Sequence, residues 1–157
     1  MKIHKIEIEN FRLLKKFSID LETELSLIVG KNNTGKTSIL TILDRFLNYS
    51  EKNPFSFNDF NISFKKDLKK LIENSPLSED EFVKLPKYGI KLKIFIEYFD
   101  EDCLSNISNI MMDLDPDNNM VVLGFEYILE FKEYEQMGRI SFCRIYKFII
   151  CFCIKNP

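Results

Sequence analysis

The sequence predicts an α/β fold: a mixed sheet with one glycine-loop helix on its face and an antiparallel β lobe beside it. Three observations carry this prediction. Residues 2–9 alternate apolar Ile3, Ile6 and Ile8 with Lys5, Glu7 and Glu9, as a half-exposed strand does. Residues 25–29 form a short, nearly continuous apolar run that leads straight into Gly30. Directly after Gly35 the period becomes helical, with Ile39, Leu40, Ile42, Leu43, Phe46 and Leu47 on one wide face.

Composition sets the outer bounds. A chain of 157 residues holds one domain with a real core. Its 45% hydrophobic and 29% charged residues are those of an ordinary soluble globular protein. A net charge of −2 excludes a surface that is basic throughout and leaves room for a local basic patch. The start, MKIHKIEIENF, is too charged for a secretory signal. The most apolar stretch, residues 148–154, falls far short of the roughly 18 residues of a membrane span, so no membrane partner is expected. The four cysteines, Cys103, Cys143, Cys151 and Cys153, form no disulfide framework, which points to a reducing cytoplasm. With His4 the one histidine, and far away, Cys151 and Cys153 read as small apolar residues and not as metal ligands.

The elements follow in order. Residues 16–21 predict a second strand, with Phe17, Ile19 and Leu21 facing one way. The run at 25–29 predicts a strand buried on both faces, as in a parallel or mixed sheet covered by helices. Residues 36–48 predict the loop helix, and residues 62–74 a more polar one with Phe64, Leu68, Leu71 and Ile72 on one stripe. Ser78 and Glu81 make a capping box for a short helix. Residues 88–99 alternate again, residues 103–112 suit a short helix, and residues 115–119 are a turn cluster. A long strand over 121–132 follows, antiparallel to the one before it. A boundary is placed after residue 136. Residues 137–157 are rich in Phe, Ile and Cys and lack acidic residues. That tail reads as a strand pair or as a truncated or frame-shifted chain end.

The chemistry concentrates at residues 30–37. Gly30, Lys31, Asn32, Asn33, Thr34, Gly35, Lys36 and Thr37 satisfy G-x-x-x-x-G-K-[ST] at every fixed position. Backbone N–H groups must turn inward around phosphates, and a side chain at either glycine would obstruct that turn. The helix beginning near Gly35 aims its positive end at the same anion. Lys36 is placed to reach the β- and γ-phosphates, and the Thr37 hydroxyl to coordinate Mg²⁺. Chance supplies such a match in on the order of one chain in a few hundred of this length. The flanking apolar run and amphipathic helix make chance the weaker explanation. The expected ligand is ATP with Mg²⁺.

The opening MKIHKIEIENFRLLKKFSIDL, the apolar run and GKNNTGKTSIL together resemble the amino-terminal lobe of ABC-type ATPases. The branch is the one holding RecF, the structural-maintenance-of-chromosomes proteins and the OLD nucleases. Ile8, Asn10, Phe11 and Arg12 are similar to that family's first strand and its exit. Asn32, Asn33, Thr34 and Ser38 are closest to the OLD-like ATP-dependent endonucleases. The likeness is strong over residues 1–48 and implies a P-loop NTPase of ABC-type head. It extends the nucleotide site to Ser38 and to Arg12, where relatives place a basic residue; a solvated strand-end arginine is the plain alternative. It also implies a second ATPase head as partner, and DNA as the parent protein's target.

The departures from that family are equally specific. Neither a signature segment nor a switch histidine is present. The best Walker B look-alike, ending at Asp100 and Glu101, lies on a strand whose Lys91, Lys93 and Glu97 make a wet face, so it reads as a strand end. Asp113, Asp115 and Asp117 read as a turn and not as a nuclease cluster. The chain is therefore expected to hold one half of an ATP site. A non-enzymatic nucleotide-binding or dimerisation module is the second reading. Lys65, Lys66, Lys69 and Lys70 could contact a phosphate backbone, though a solvated helix face is the commoner use of such a cluster.

Overall fold

The computed structural model describes residues 1–48, 55–74, 89–99, 101–103, 105, 119–128 and 150–152. Its frame is a five-stranded sheet: β1 (Lys2–Phe11), β2 (Leu14–Asp20), β3 (Gly89–Glu97), β4 (Met120–Ile128) and β5 (Ile150–Phe152). The spatial order is β2-β1-β3-β4-β5, and each neighbouring pair is antiparallel. Among the described residues two helices accompany it, α1 (Lys36–Leu47) and α2 (Ile62–Asn74), with a 3-10 turn at Phe57–Asp59 between them.

Register explains which side chains meet. Ile6 sits opposite Ile94 and Ile8 opposite Leu92, while Leu92 and Ile90 oppose Phe125 and Tyr127 on the far strand. All seven of these are buried and form one continuous apolar face. The other face carries cross-strand ion pairs, among them Lys91 with Glu126 and Lys2 with Glu97, beside a smaller buried patch at Phe95 and Val122. The period-two alternation read from the sequence is thus realised in β1, β3 and β4.

Phenylalanine fills the space over the apolar face. Ile39, Ile42 and Phe46 of α1 join Phe11, Phe55, Phe60, Phe64, Phe125 and Tyr127 in a single core. Phe55 stacks on Tyr127 with ring centroids 4.9 Å apart, and Phe60 stacks on Phe64 at 5.0 Å. Phe46 meets Phe55 at 4.7 Å. Each such ring contributes its buried area plus an aromatic pairing of about 0.5–1.5 kcal/mol. Six of the chain's 15 phenylalanines, Phe11, Phe46, Phe55, Phe60, Phe64 and Phe125, thereby acquire a physical role: few, large rings span the gap between two helices and a sheet.

The sequence expectation fails at one element. Residues 25–29 belong to no strand. Leu25, Leu27 and Val29 are exposed at 78%, 81% and 80%. The sheet is antiparallel among the described residues and not mixed, because the strand that would have brought parallel pairing stands outside it. An apolar run signals a segment that needs cover on both faces; it does not say which segment supplies the cover.

The remaining expectations divide cleanly. Residues 62–74 are helical as read, and β4 is antiparallel to β3 as read. Residues 150–152 of the apolar tail pair with β4. The capping box at Ser78, Asp113 to Asp117, most of residues 103–112 and the boundary after residue 136 lie outside the described residues. No helix among the described residues is long and apolar enough to cross a membrane.

Candidate functional site

The glycine loop begins on the exposed residues 25–29 and ends on α1. Gly35 takes φ +97° and Asn33 φ +63°, so the chain turns through two left-handed residues just before the helix. Asparagine tolerates this conformation better than most residues, and glycine best of all. Gly35 has a second reason to be glycine. A Cβ there would lie 2.9 Å from Leu14 Cδ2 and 3.7 Å from Leu13 Cβ, so the loop rests directly on the turn between β1 and β2. Gly30 is under less pressure, since a Cβ would meet Thr34 Oγ1 at 3.3 Å and Lys36 Cδ at 4.0 Å.

Two features fit the loop to an anion. First, the N-terminus of α1 is left open. Ser38 and Ile39 donate their N–H groups to the Gly35 carbonyl. Gly35 supplies no side-chain cap, and the first turn holds no acidic residue. The earliest N–H groups of a helix have no acceptor within it, so those of Lys36 and Thr37 are free to meet a phosphate. Second, the Lys36 ammonium crosses the loop. It donates to the carbonyls of Gly30 at 2.6 Å and Lys31 at 2.5 Å, while Thr34 Oγ1 donates to Lys31 O at 2.9 Å. Thr37 is exposed beside it and Ser38 is buried. Lys31, Asn32, Asn33 and Thr34 are all exposed on the loop's rim.

Arg12 directly precedes Leu13 and Leu14, the residues that a Cβ at Gly35 would meet. Its backbone is left-handed, φ +49°, as is that of Asn10 at φ +60°. A second segment holds this turn in place. The Arg12 N–H donates to Asp59 O at 2.7 Å, Asn61 N–H to Asn10 O at 2.9 Å, and Asn61 Nδ2 to Arg12 O at 2.6 Å. Asn61 also accepts from the Ser63 N–H, capping α2 at the same time. Asn10 Nδ2 donates in turn to Gly89 O at 3.0 Å, at the start of β3.

Asp59 is the residue that sequence reasoning missed. The residue is 3% exposed. It accepts from Arg12 Nε at 3.0 Å, Ser56 N–H at 2.9 Å and Ser56 Oγ at 3.1 Å, and it pairs closely with Arg45 of α1. Burial alone would push this carboxyl up. The Ser56 N–H and the two guanidinium groups outweigh that and hold it below the ordinary carboxylate value. The signal available beforehand was Ser56 standing three residues ahead of Asp59, the spacing of a local cap.

The Walker B look-alike is placed elsewhere. Glu97 at the end of β3 opposes Lys2 at the start of β1, whereas the loop rests on residues that follow the other end of β1. A ten-residue strand separates them, about 30 Å at strand rise. Glu101 is exposed in a turn there, and Asp100 lies outside the described residues. Among the described residues, no group of three or more His, Cys, Asp or Glu could hold a metal ion. Lys66, Lys69 and Lys70 are exposed on α2, while Lys65 leans over the Phe57 ring at 5.0 Å.

A glycine loop closing onto an open helix N-terminus, with a lysine across it, defines a P-loop nucleotide-binding domain of α/β class. Residues 1–149 match the AAA ATPase domain family, and the chain belongs to it. It is 32% identical to Endonuclease GajA of Bacillus cereus (strain HuB5-5) over 137 residues, which are 84% of this chain and 20% of that protein. It is 27% identical to Uncharacterized protein MJECL44 of Methanocaldococcus jannaschii over 140 residues, 87% of this chain and 39% of that one. Over 40 residues, 26% of this chain and 11% of the other, it is 48% identical to the DNA replication and repair protein RecF of Chlorobium phaeovibrioides. The chain therefore spans between about a tenth and two fifths of these relatives. The resemblance to the ATPase lobe of OLD-like and RecF-type proteins holds.

Proposed function

We propose that this chain binds ATP with Mg²⁺ in the loop of residues 30–37 and contributes one half of a composite ATPase site. The observation that carries the reading is the open N-terminus of α1 beneath the Lys36 ammonium. Gly30, Lys31, Asn32, Asn33, Thr34 and Gly35 form the cradle, Lys36 meets the β- and γ-phosphates, and Ser38 completes the helix start. Thr37 is suited to hold Mg²⁺, whose chemistry is to neutralise charge on the phosphates. Arg12 stands at the edge of the same site.

Two observations favour a half-site. The acidic end of β3 lies at the far end of the sheet from the loop. The apolar residues 25–29 are exposed where a further layer of structure would cover them. A second ATPase head is the proposed source of the remaining groups. ATP-regulated cleavage or handling of DNA is the proposed role of the complete assembly, in keeping with the names borne by GajA and RecF. The exposed apolar segment equally favours a second reading, a nucleotide-dependent dimerisation module that turns nothing over.

Calorimetry with ATP and Mg²⁺ on the full chain and on Lys36→Ala, with turnover assayed on the same samples, tests the proposal. The expected result is Mg²⁺-dependent binding, lost in Lys36→Ala, without steady turnover. Turnover by the isolated chain that vanishes in Lys36→Ala would refute the half-site. Absence of binding by the unmutated chain would refute the nucleotide site itself.

A further inference from the structure

Helix α1 and the turn between β1 and β2 are fastened by one buried acid that neither the phosphate-loop motif nor the sheet requires. Asp59 holds Arg12 through Nε and Arg45 through a terminal nitrogen, from a segment 47 residues beyond Arg12 and 14 beyond Arg45. The same turn is bound again by backbone, through Arg12 N–H to Asp59 O and Asn61 N–H to Asn10 O. A side chain needed only to close a turn would not have to select an arginine in left-handed backbone, a conformation that costs non-glycine residues energy.

We infer that Asp59 is a positioning residue for the nucleotide site: it pins Arg12 by Nε beside the loop so that the terminal nitrogens of Arg12 remain available to the bound polyphosphate. This inference rests on the nucleotide reading above. Four observations support it. Arg12 directly precedes Leu13 and Leu14, which contact Gly35. Its side chain stays 37% exposed while that of its anchor is 4% exposed, so Arg12 is held from the interior and still reachable from solvent. The guanidinium packs over the Phe11 ring at 5.1 Å, which removes a further degree of freedom. Among the described residues its terminal nitrogens have no carboxylate partner.

Arg45 has a distinct part. With a side chain 10% exposed, it balances the buried carboxylate, so the three-residue cluster of two cations and one anion keeps a single net positive charge. Arg12 is thereby left without having to neutralise Asp59 alone. A carboxylate that bonds only Nε of an arginine leaves the fork of terminal N–H donors, the part that matches phosphate oxygens, unspent.

Charge alone and positioning predict opposite signs, which makes the inference testable. Asp59→Asn removes a negative charge near the loop, so simple electrostatics would tighten anion binding. Loss of positioning weakens it. The full chain, Asp59→Asn, Arg12→Lys and Lys36→Ala are compared for ATP and for tripolyphosphate, which lacks base and sugar, at a temperature where each is folded by circular dichroism. The expected result is an affinity about tenfold weaker in both Asp59→Asn and Arg12→Lys, by the same factor for the two ligands, with no further loss on combining them. Arg12→Lys keeps Asp59, Arg45 and the cation, so it carries the test alone if Asp59→Asn does not fold. Unchanged or tighter binding in a folded Asp59→Asn or in Arg12→Lys, or a loss seen with ATP and not with tripolyphosphate, would overturn the inference while leaving the nucleotide site standing if Lys36→Ala still abolishes binding. Failure of the unmutated chain to bind ATP would remove both.

Discussion

Replacing Gly35 by alanine adds one methyl group to the loop, and the structure sets what that addition costs. Alanine at φ +97° bears a left-handed penalty of about 1–2 kcal/mol. Its Cβ would stand 2.9 Å from Leu14 Cδ2, and Leu14 is buried at 6% exposure with little room to withdraw. Overpacking of this kind costs about 1–3 kcal/mol. The sum, about 2–5 kcal/mol, is a large share of the stability of a domain this size. At Gly30 the same change meets Thr34 Oγ1 at 3.3 Å in unexceptional backbone, and about 1 kcal/mol or less is expected. Urea unfolding of the two variants, followed by circular dichroism, measures the difference directly. Combining Gly35→Ala with Leu14→Ala separates the two contributions: the double variant is expected to be about 1 kcal/mol more stable than the sum of the single changes, since the clash is gone and the backbone strain remains. Equal losses at Gly30 and Gly35, or strict additivity with Leu14→Ala, would refute this account of the loop.

Two further outcomes follow from the same geometry. The Asp59 carboxyl titrates below its ordinary value in the folded chain, so its stabilisation is complete above about pH 4, where the unfolded carboxyl is ionised, and is lost as pH falls through the folded value. Asp59→Asn is expected to cost about 3 kcal/mol near pH 7, because Arg45 is left buried without its anion, and to flatten the acid limb of the stability profile; parallel acid limbs for the two proteins would contradict the assignment. Substituting Leu25, Leu27 and Val29 together by threonine is expected to change the urea midpoint by little, each position contributing within about 0.5 kcal/mol, while reducing binding of a hydrophobic dye. A loss of several kcal/mol there would mean that the segment is covered within this chain.

Much of the frame could be read from periodicity. The alternation in β1 and β3, the change to helical spacing after Gly35 and the stripe of α2 are all local signals, and each became the element it implied. The loop was equally legible, because its chemistry lies in eight consecutive residues. Two things were not. Residues 25–29 signalled a need for cover on both faces, and the need is real, but no neighbouring strand answers it among the described residues. Asp59 was invisible for a different reason: its partners stand 47 and 14 residues away and are brought together by left-handed backbone at Asn10 and Arg12, which no hydrophobic pattern encodes. Arg12 read alone had a solvated strand end as an equal alternative. Its ion pair to a buried acid was foreseen by neither reading.

The order of the strands has a consequence for synthesis. β1 is an interior strand, yet its two neighbours leave the ribosome far apart: β2 ends at Asp20, while β3 is complete only at Glu97. At about 5–20 residues per second, the hairpin of β1 and β2 waits some 4–15 s with one backbone edge unpaired. During that interval Ile6 and Ile8 also lack Ile94 and Leu92 across from them. The alternating Lys5, Glu7 and Glu9 lie along the same strand, and charges of this kind discourage one nascent hairpin from pairing with another. The charged face of β1 therefore serves the chain before it is folded as well as after, guarding an edge that the finished sheet no longer has.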